Sequence, residues 1–301
     1  MRFPWLLSPL LALVFAPALV APSSGQAAAE ASSVAPSTPT LVAVRAAHRG
    51  GVDRVVFEFR GGLPPQRQVE YVDRLYADGS GRRVRVAGQE LLRVRFADAQ
   101  AHTDDGVATA APRRVAFALP NVMTAVRAGD FEAVVTYGLG LAARRPVRVR
   151  TLRSPDRVVV EVGAAFATVQ RRVWFFHRDR FVDNREPFFV PVLRPVRPGT
   201  PATGVMDRLF AGPLAGERTR GLRLLRSGAT GYADLSVSGG VADLRLTGRC
   251  SSGGSTVTVA GEVLPTLKQF ATVDRVVLRD PGGSTLDPDG PGDSTPACLE
   301  P

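Results

Sequence analysis

Lysine is almost missing from this chain: Lys268 is the only one, so nearly all of the 38 basic side chains are arginine. Set against 28 acidic residues, they leave a formal charge of +10. Arginine in place of lysine fits a GC-rich coding bias, and the resulting basic surface draws anionic polymers whatever its origin. Histidine is scarce too. His48, His102 and His177 are the only three, and none has a second histidine at ligand spacing. "AHTDDG" (Ala101 to Gly106) therefore reads as a solvated loop. "DPDGPGD" (Asp287 to Asp293) reads as plain turns, because Pro291 and Cys298 stand where a calcium loop needs ligands. No metal or other cofactor is expected. There is no nucleophile elbow, phosphate loop or dinucleotide fingerprint. Asp104 and Asp105 are adjacent, so their carboxylates diverge in an extended segment and make no acid/base pair. The chain is not expected to be an enzyme. It also lacks a groove-entering helix and a set of stacking aromatics, which argues against a nucleic-acid partner.

Aromatic residues make up only 7% of the chain, yet hydrophobic residues reach 45%. Cores built mainly of Val, Leu and Ala are expected, with room for two domains in 301 residues. Beyond residue 29 no apolar run is long enough to cross a bilayer. Residues 1–29 have a single early arginine, an apolar stretch from Leu6 to Val20 and Ala27-Ala28-Ala29 before Glu30. That arrangement predicts a secretory signal peptide, and so a secreted protein that does not span the membrane. Residues 30–40 ("EASSVAPSTPT") predict a linker. Cys250 and Cys298 are the only cysteines, and in an exported chain two cysteines most simply form one disulfide.

From 41 to 163 the chain reads as strands with a turn about every ten residues. In "VDRVVFEF", Val55, Phe57 and Phe59 share one face. "ELLRVRF", "RRVAFALP", "DFEAVVTYGL", "RPVRVRTL" and "DRVVVEV" read as further strands, giving a β-sandwich-like domain. Arginines recur two apart at Arg83 and Arg85, Arg93 and Arg95, and Arg148 and Arg150. Residues two apart on a strand share a face. If those strands are neighbours, six guanidinium groups line one surface and make a candidate site for an anionic polymer. If not, these are ordinary solvent-facing residues, and only strand order separates the two readings.

From 172 to 280 strands mix with helices, predicting an α+β domain. Thr200 and Pro201 can open a helix with Val205, Met206, Leu209 and Phe210 on its buried stripe. Gly212 in a left-handed conformation and then Pro213 would end it. Ser238-Gly239-Gly240 predicts a hairpin turn. A second helix carries Val259, Val263, Leu267 and Phe270 inward, with Pro265 kinking it or marking its start. Residues 281–301 read as a loop-rich tail.

Two likenesses emerge from these segments. "RVWFF", "FVPVLRPV", "LFAGP" with "ERTRGL", "ADLSVSGGVADLRL" and "TLKQFATVDRVVL" resemble the GerMN domain, a ring-building type of α+β fold found in sporulation-related proteins. "GVDRVVFEF", "VEYVDRL", "LLRVRF", "GDFEAVVTYGLGL" and "RVVVEV" resemble the AMIN-like domain of actinobacterial exported proteins. The pair implies a non-enzymatic protein that binds peptidoglycan or another anionic wall polymer, or a wall-associated envelope protein, and mediates assembly. The alternative is a regulatory module for a sensor kinase or wall hydrolase.

Overall fold

Alternation builds the first half of the molecule. The computed structural model describes residues 37–301; the expected leader and most of the expected linker lie outside the described residues. Strands run in the order β1 (Thr40–Arg49), β2 (Val52–Arg60), β3 (Gln66–Tyr71), β4 (Leu75–Tyr76), β5 (Arg83–Val84), β6 (Glu90–Ala97) and β7 (Arg114–Ala116). They continue as β8 (Val122–Phe131), β9 (Val134–Leu141), β10 (Val147–Leu152) and β11 (Asp156–Gly163). One antiparallel sheet has the order β1-β2-β11-β10 and a second the order β3-β6-β9-β8-β7. Every second residue of β2 is buried, which sends Val55, Phe57 and Phe59 inward. They meet Phe96 and Tyr137 of the other sheet, with ring centroids 5.1 to 5.3 Å apart. The result is a two-sheet sandwich around one core. "DFEAVVTYGL" is not one strand. Glu132 and Ala133, both at positive φ, turn the chain back between β8 and β9, a two-residue hairpin made without glycine.

The second half adds β12 (Val169–His177), α1 (Arg178–Val182), β13 (Phe189–Val196), α2 (Pro201–Ala211), α3 (Ala215–Thr219), β14 (Leu222–Arg223), β15 (Ala229–Ser238), β16 (Val241–Gly248), α4 (Ala260–Lys268) and β17 (Arg275–Arg279). Two three-stranded sheets, β13-β12-β14 and β15-β16-β17, share a second core with α2 and α4. Pairing of β16 with β17 is parallel, joined by the crossover through α4. Thr200 precedes α2 without a side-chain cap, and Gly212 ends it at φ 96° and ψ 178°, a conformation only glycine adopts readily. Pro265 sits inside α4 rather than at its start. "ERTRG" forms most of α3, and Glu217 there makes a buried two-pronged pair with Arg194 of β13 while also accepting from the Leu214 N–H at 2.7 Å.

Helix α4 also finishes an edge. Its side chains at 262 and 266, with Gln269 at its C-cap, meet the alternate N–H groups of β12: Phe176 donates to Glu262 at 3.0 Å, Trp174 to Thr266 at 3.1 Å and Arg172 to Gln269 at 2.9 Å. Helical i, i+4, i+7 spacing thus stands in for a neighbouring strand, and the exposed-edge problem is removed. Cys250 and Cys298 are bonded, with Cα atoms 5.7 Å apart, and this staples the tail so that Leu299 enters the second core.

The two halves meet along a seam. Met123 and Ala142 of the sandwich pack with Ala211 of α2 in a small apolar cluster. Beside it Arg208 of α2, 1% exposed, donates to the carbonyls of Phe117, Leu119 and Pro120 in the β7–β8 connection.

Candidate functional site

Five arginines converge on this seam. The β4–β5 hairpin, closed by the glycine-bearing turn from Asp78 to Gly81, sets Arg83 and Arg85 at its exposed end. Arg113 and Arg114 enter at the start of β7, and Arg226 arrives from the loop between β14 and β15. With Thr230 they line a hollow of about 240 Å³. Main-chain carbonyls hold two of them in place: Arg114 donates to Arg85 O at 2.8 Å, and Arg113 Nε to Arg127 O at 2.7 Å. Among the described residues none of the five forms an ion pair. Burial, followed by the charges of Arg226 and Arg113, pushes Arg114 down to about 10. Burial also lowers Arg226, against the pull of the Glu262 carboxylate, and burial together with Arg83 and Arg74 lowers Arg85. Like charges are held together here with their attraction for an anion unspent.

A larger cleft of about 680 Å³ opens next to the hollow and shares Arg83, Val84, Arg85 and Thr230 with it. In its wall Asp207 of α2 accepts from Gln89 Nε2 at 2.8 Å and from the Tyr232 hydroxyl at 2.9 Å. Gln89 belongs to the sandwich and Tyr232 to β15, so this buried carboxylate also bridges the seam. Burial lifts Asp207 to about 6, although both hydrogen bonds and Arg208 pull the other way. The Tyr232 hydroxyl is raised by burial and by the Asp207 charge.

The sandwich carries a family signature. Residues 39–164 match the AMIN-like domain. That span runs from just before β1 to just after β11, so the match covers both sheets of the sandwich. No curated protein and no solved structure matches the chain. Four of the five hollow arginines, Arg83, Arg85, Arg113 and Arg114, lie in the AMIN-like domain; Arg226 lies outside it.

The six arginines of the sequence reading do not share a sheet. Arg83 lies on β5 and Arg85 just past it, beside the two-stranded sheet of β4 and β5; Arg93 and Arg95 lie on β6; Arg148 and Arg150 lie on β10, an edge of the other large sheet. The single six-arginine face is thereby corrected, because the strands are not neighbours. Arg93 is paired with Glu70 across β3 and β6, and Arg150 with Glu161 at 3.1 Å across β10 and β11. Only Arg83 and Arg85 reach the hollow. Arg113 and Arg114 escaped notice because adjacent residues point to opposite faces of a regular strand, and only the entry into β7 lets both aim at one place. Arg226 is more than a hundred residues away in sequence, and nothing local marks it. The three histidines are occupied: His48 Nδ1 lies 2.7 Å from Asp53, His102 Nδ1 lies 2.9 Å from Asp130, and His177 caps α1. Among the described residues no three His, Cys, Asp or Glu side chains gather as a metal group.

Proposed function

We propose that the protein is a secreted, non-enzymatic component of the cell envelope that grips anionic wall polymer through the arginine hollow. AMIN-like domains are typically found in cell-wall-associated proteins, and no helix among the described residues is long and apolar enough to cross a membrane. The leader reading of residues 1–29 supports export. One observation carries the ligand class: five guanidinium groups line one hollow at the seam, and among the described residues none of them is in an ion pair. Each guanidinium can grip a carboxylate or phosphate by two parallel hydrogen bonds. Repeated weak contacts along a polymer then add up to firm attachment. The GerMN-like motifs of residues 172–280 support a further role for the second lobe in assembly with an envelope protein.

Sedimentation with purified cell wall tests this reading. Binding is expected at low salt and should fall as ionic strength approaches 1 M, where screening acts over only about 3 Å. Arg113→Gln with Arg226→Gln should weaken it at least about tenfold, the loss of roughly one charge-assisted contact. Binding indifferent to both salt and these substitutions would remove the hollow from the account.

A further inference from the structure

The hollow and the cleft form one groove. Arg83, Val84, Arg85 and Thr230 line both, so one molecule can occupy the two at once. Their chemistry differs. Every charged side chain lining the hollow is a guanidinium. The cleft mixes the carboxylates Asp73, Glu90 and Asp234 with the Arg74 guanidinium and the hydroxyls of Thr203 and Thr247, the acceptors, donors and hydroxyls that pair with sugar hydroxyl groups. Resting on the wall-binding reading above, and narrowing it, we propose that the seam binds a phosphorylated saccharide, with the phosphoryl group in the hollow and the sugar in the cleft.

Charge and donor count favour phosphoryl over carboxylate. A carboxylate brings one negative charge and two oxygens. A phosphate monoester brings about −1.5 to −2 and three strong acceptor oxygens. Five guanidinium groups offer far more donors than a carboxylate can use. Arg113 and Arg114 are anchored by main-chain carbonyls, so their remaining N–H groups are already aimed before any ligand arrives. Burial, and after it the neighbouring arginines, lowers Arg114, and burial lowers Arg226; a doubly charged anion relieves more of the like-charge part than a single charge does. Size points the same way. A hollow of about 240 Å³ suits one charged group, whereas the cleft of about 680 Å³ falls within the roughly 300–1,000 Å³ typical of small-molecule sites. Orientation follows from sign: the carboxylates of the cleft repel the phosphoryl end, and the hollow carries none.

Calorimetric titration of the full chain with a hexose phosphate, the matching hexuronic acid, the neutral hexose and inorganic phosphate tests the assignment. The hexose phosphate should bind at least about tenfold more tightly than each of the other three, the worth of one further good contact. Arg226→Gln should weaken hexose phosphate and inorganic phosphate alike. Thr247→Tyr, which fills the cleft, should weaken hexose phosphate and spare inorganic phosphate; circular dichroism confirms that each variant is folded. A hexuronic acid that binds as well as the hexose phosphate overturns the phosphoryl assignment. Inorganic phosphate that binds equally well overturns the part given to the cleft. Wall sedimentation separates the two readings. Wall binding without hexose phosphate binding overturns this inference alone, and hexose phosphate binding without wall binding overturns the wall-polymer reading alone.

Discussion

Asp207 is a carboxylate held where a charge is costly. Burial raises it from 3.8 to about 6. The folded protein therefore holds this proton more tightly than the unfolded chain does. The resulting stability is fully present below pH 3.8 and is lost as pH rises through about 6. That gap corresponds to about 3 kcal/mol. An asparagine side chain is neutral throughout, so Asp207→Asn should shrink the stability difference between pH 4 and pH 7.5 by roughly that amount, as read by urea denaturation. Glu262, raised by burial in the same sense, should leave a remainder of the same sign. An unchanged pH profile in the variant would show that Asp207 is not the group that titrates. Gly140 matters for a different reason. A Cβ there would sit 1.8 Å from the Ala87 carbonyl oxygen, in the segment that delivers Gln89 to Asp207. Gly140→Ala should cost about 1–3 kcal/mol by overpacking and should also disturb the cleft. Equal stability in a thermal melt would mean that the 87–89 segment moves aside freely. Neither residue announces itself in the sequence. Asp207 lies within an expected helix as an ordinary polar residue, and Gly140 looks no different from Gly138.

Helix α4 shows what one element can do for another. Thr266 accepts from the Trp174 N–H, midway along the row of bonds that closes the edge of β12. Thr266→Val keeps the shape and removes the acceptor. The part-buried N–H is then left unpaired, at an expected cost of about 1–3 kcal/mol in denaturant titration. Thr266→Ser, which retains the hydroxyl, should recover most of it; a serine variant as weak as the valine one would point to packing instead. The elements themselves were largely legible. Period-two burial placed Val55, Phe57 and Phe59 on a core face, and helical spacing placed Val205, Met206, Leu209 and Phe210 on another. What alternation cannot carry is the identity of each strand's neighbour. That depends on crossovers set by long-range packing, and it is why Arg83, Arg93 and Arg148 ended in three different sheets. The short helix α3 was also hidden, because its buried Glu217 gains its reason only from Arg194 on a distant strand. The same limit applied to the hollow: two of its five arginines were visible as a pair, and the other three required the seam.

At the scale of the whole molecule the seam decides whether two cores behave as one protein. The sandwich core and the second core share no residue, yet both lie in one compact unit that takes in all the described residues, 37–301. Arg208 joins them by side-chain hydrogen bonds. It is buried, it satisfies three carbonyls of the β7–β8 connection, and burial lowers its guanidinium to about 9. Arg208→Met conserves much of the length and apolar stem while leaving those carbonyls without their donor. Leaving a buried acceptor without its donor typically costs about 1–3 kcal/mol. Most of that loss falls on the coupling between lobes rather than on either core. Scanning calorimetry should therefore show one transition for the native protein and two for the variant, as each core melts at its own temperature. Ligand binding should fall in parallel, because Arg226 belongs to one lobe and Arg83, Arg85, Arg113 and Arg114 to the other. Two transitions already present in the native protein, or binding untouched by Arg208→Met, would mean that the lobes act independently and that the hollow does not need them docked.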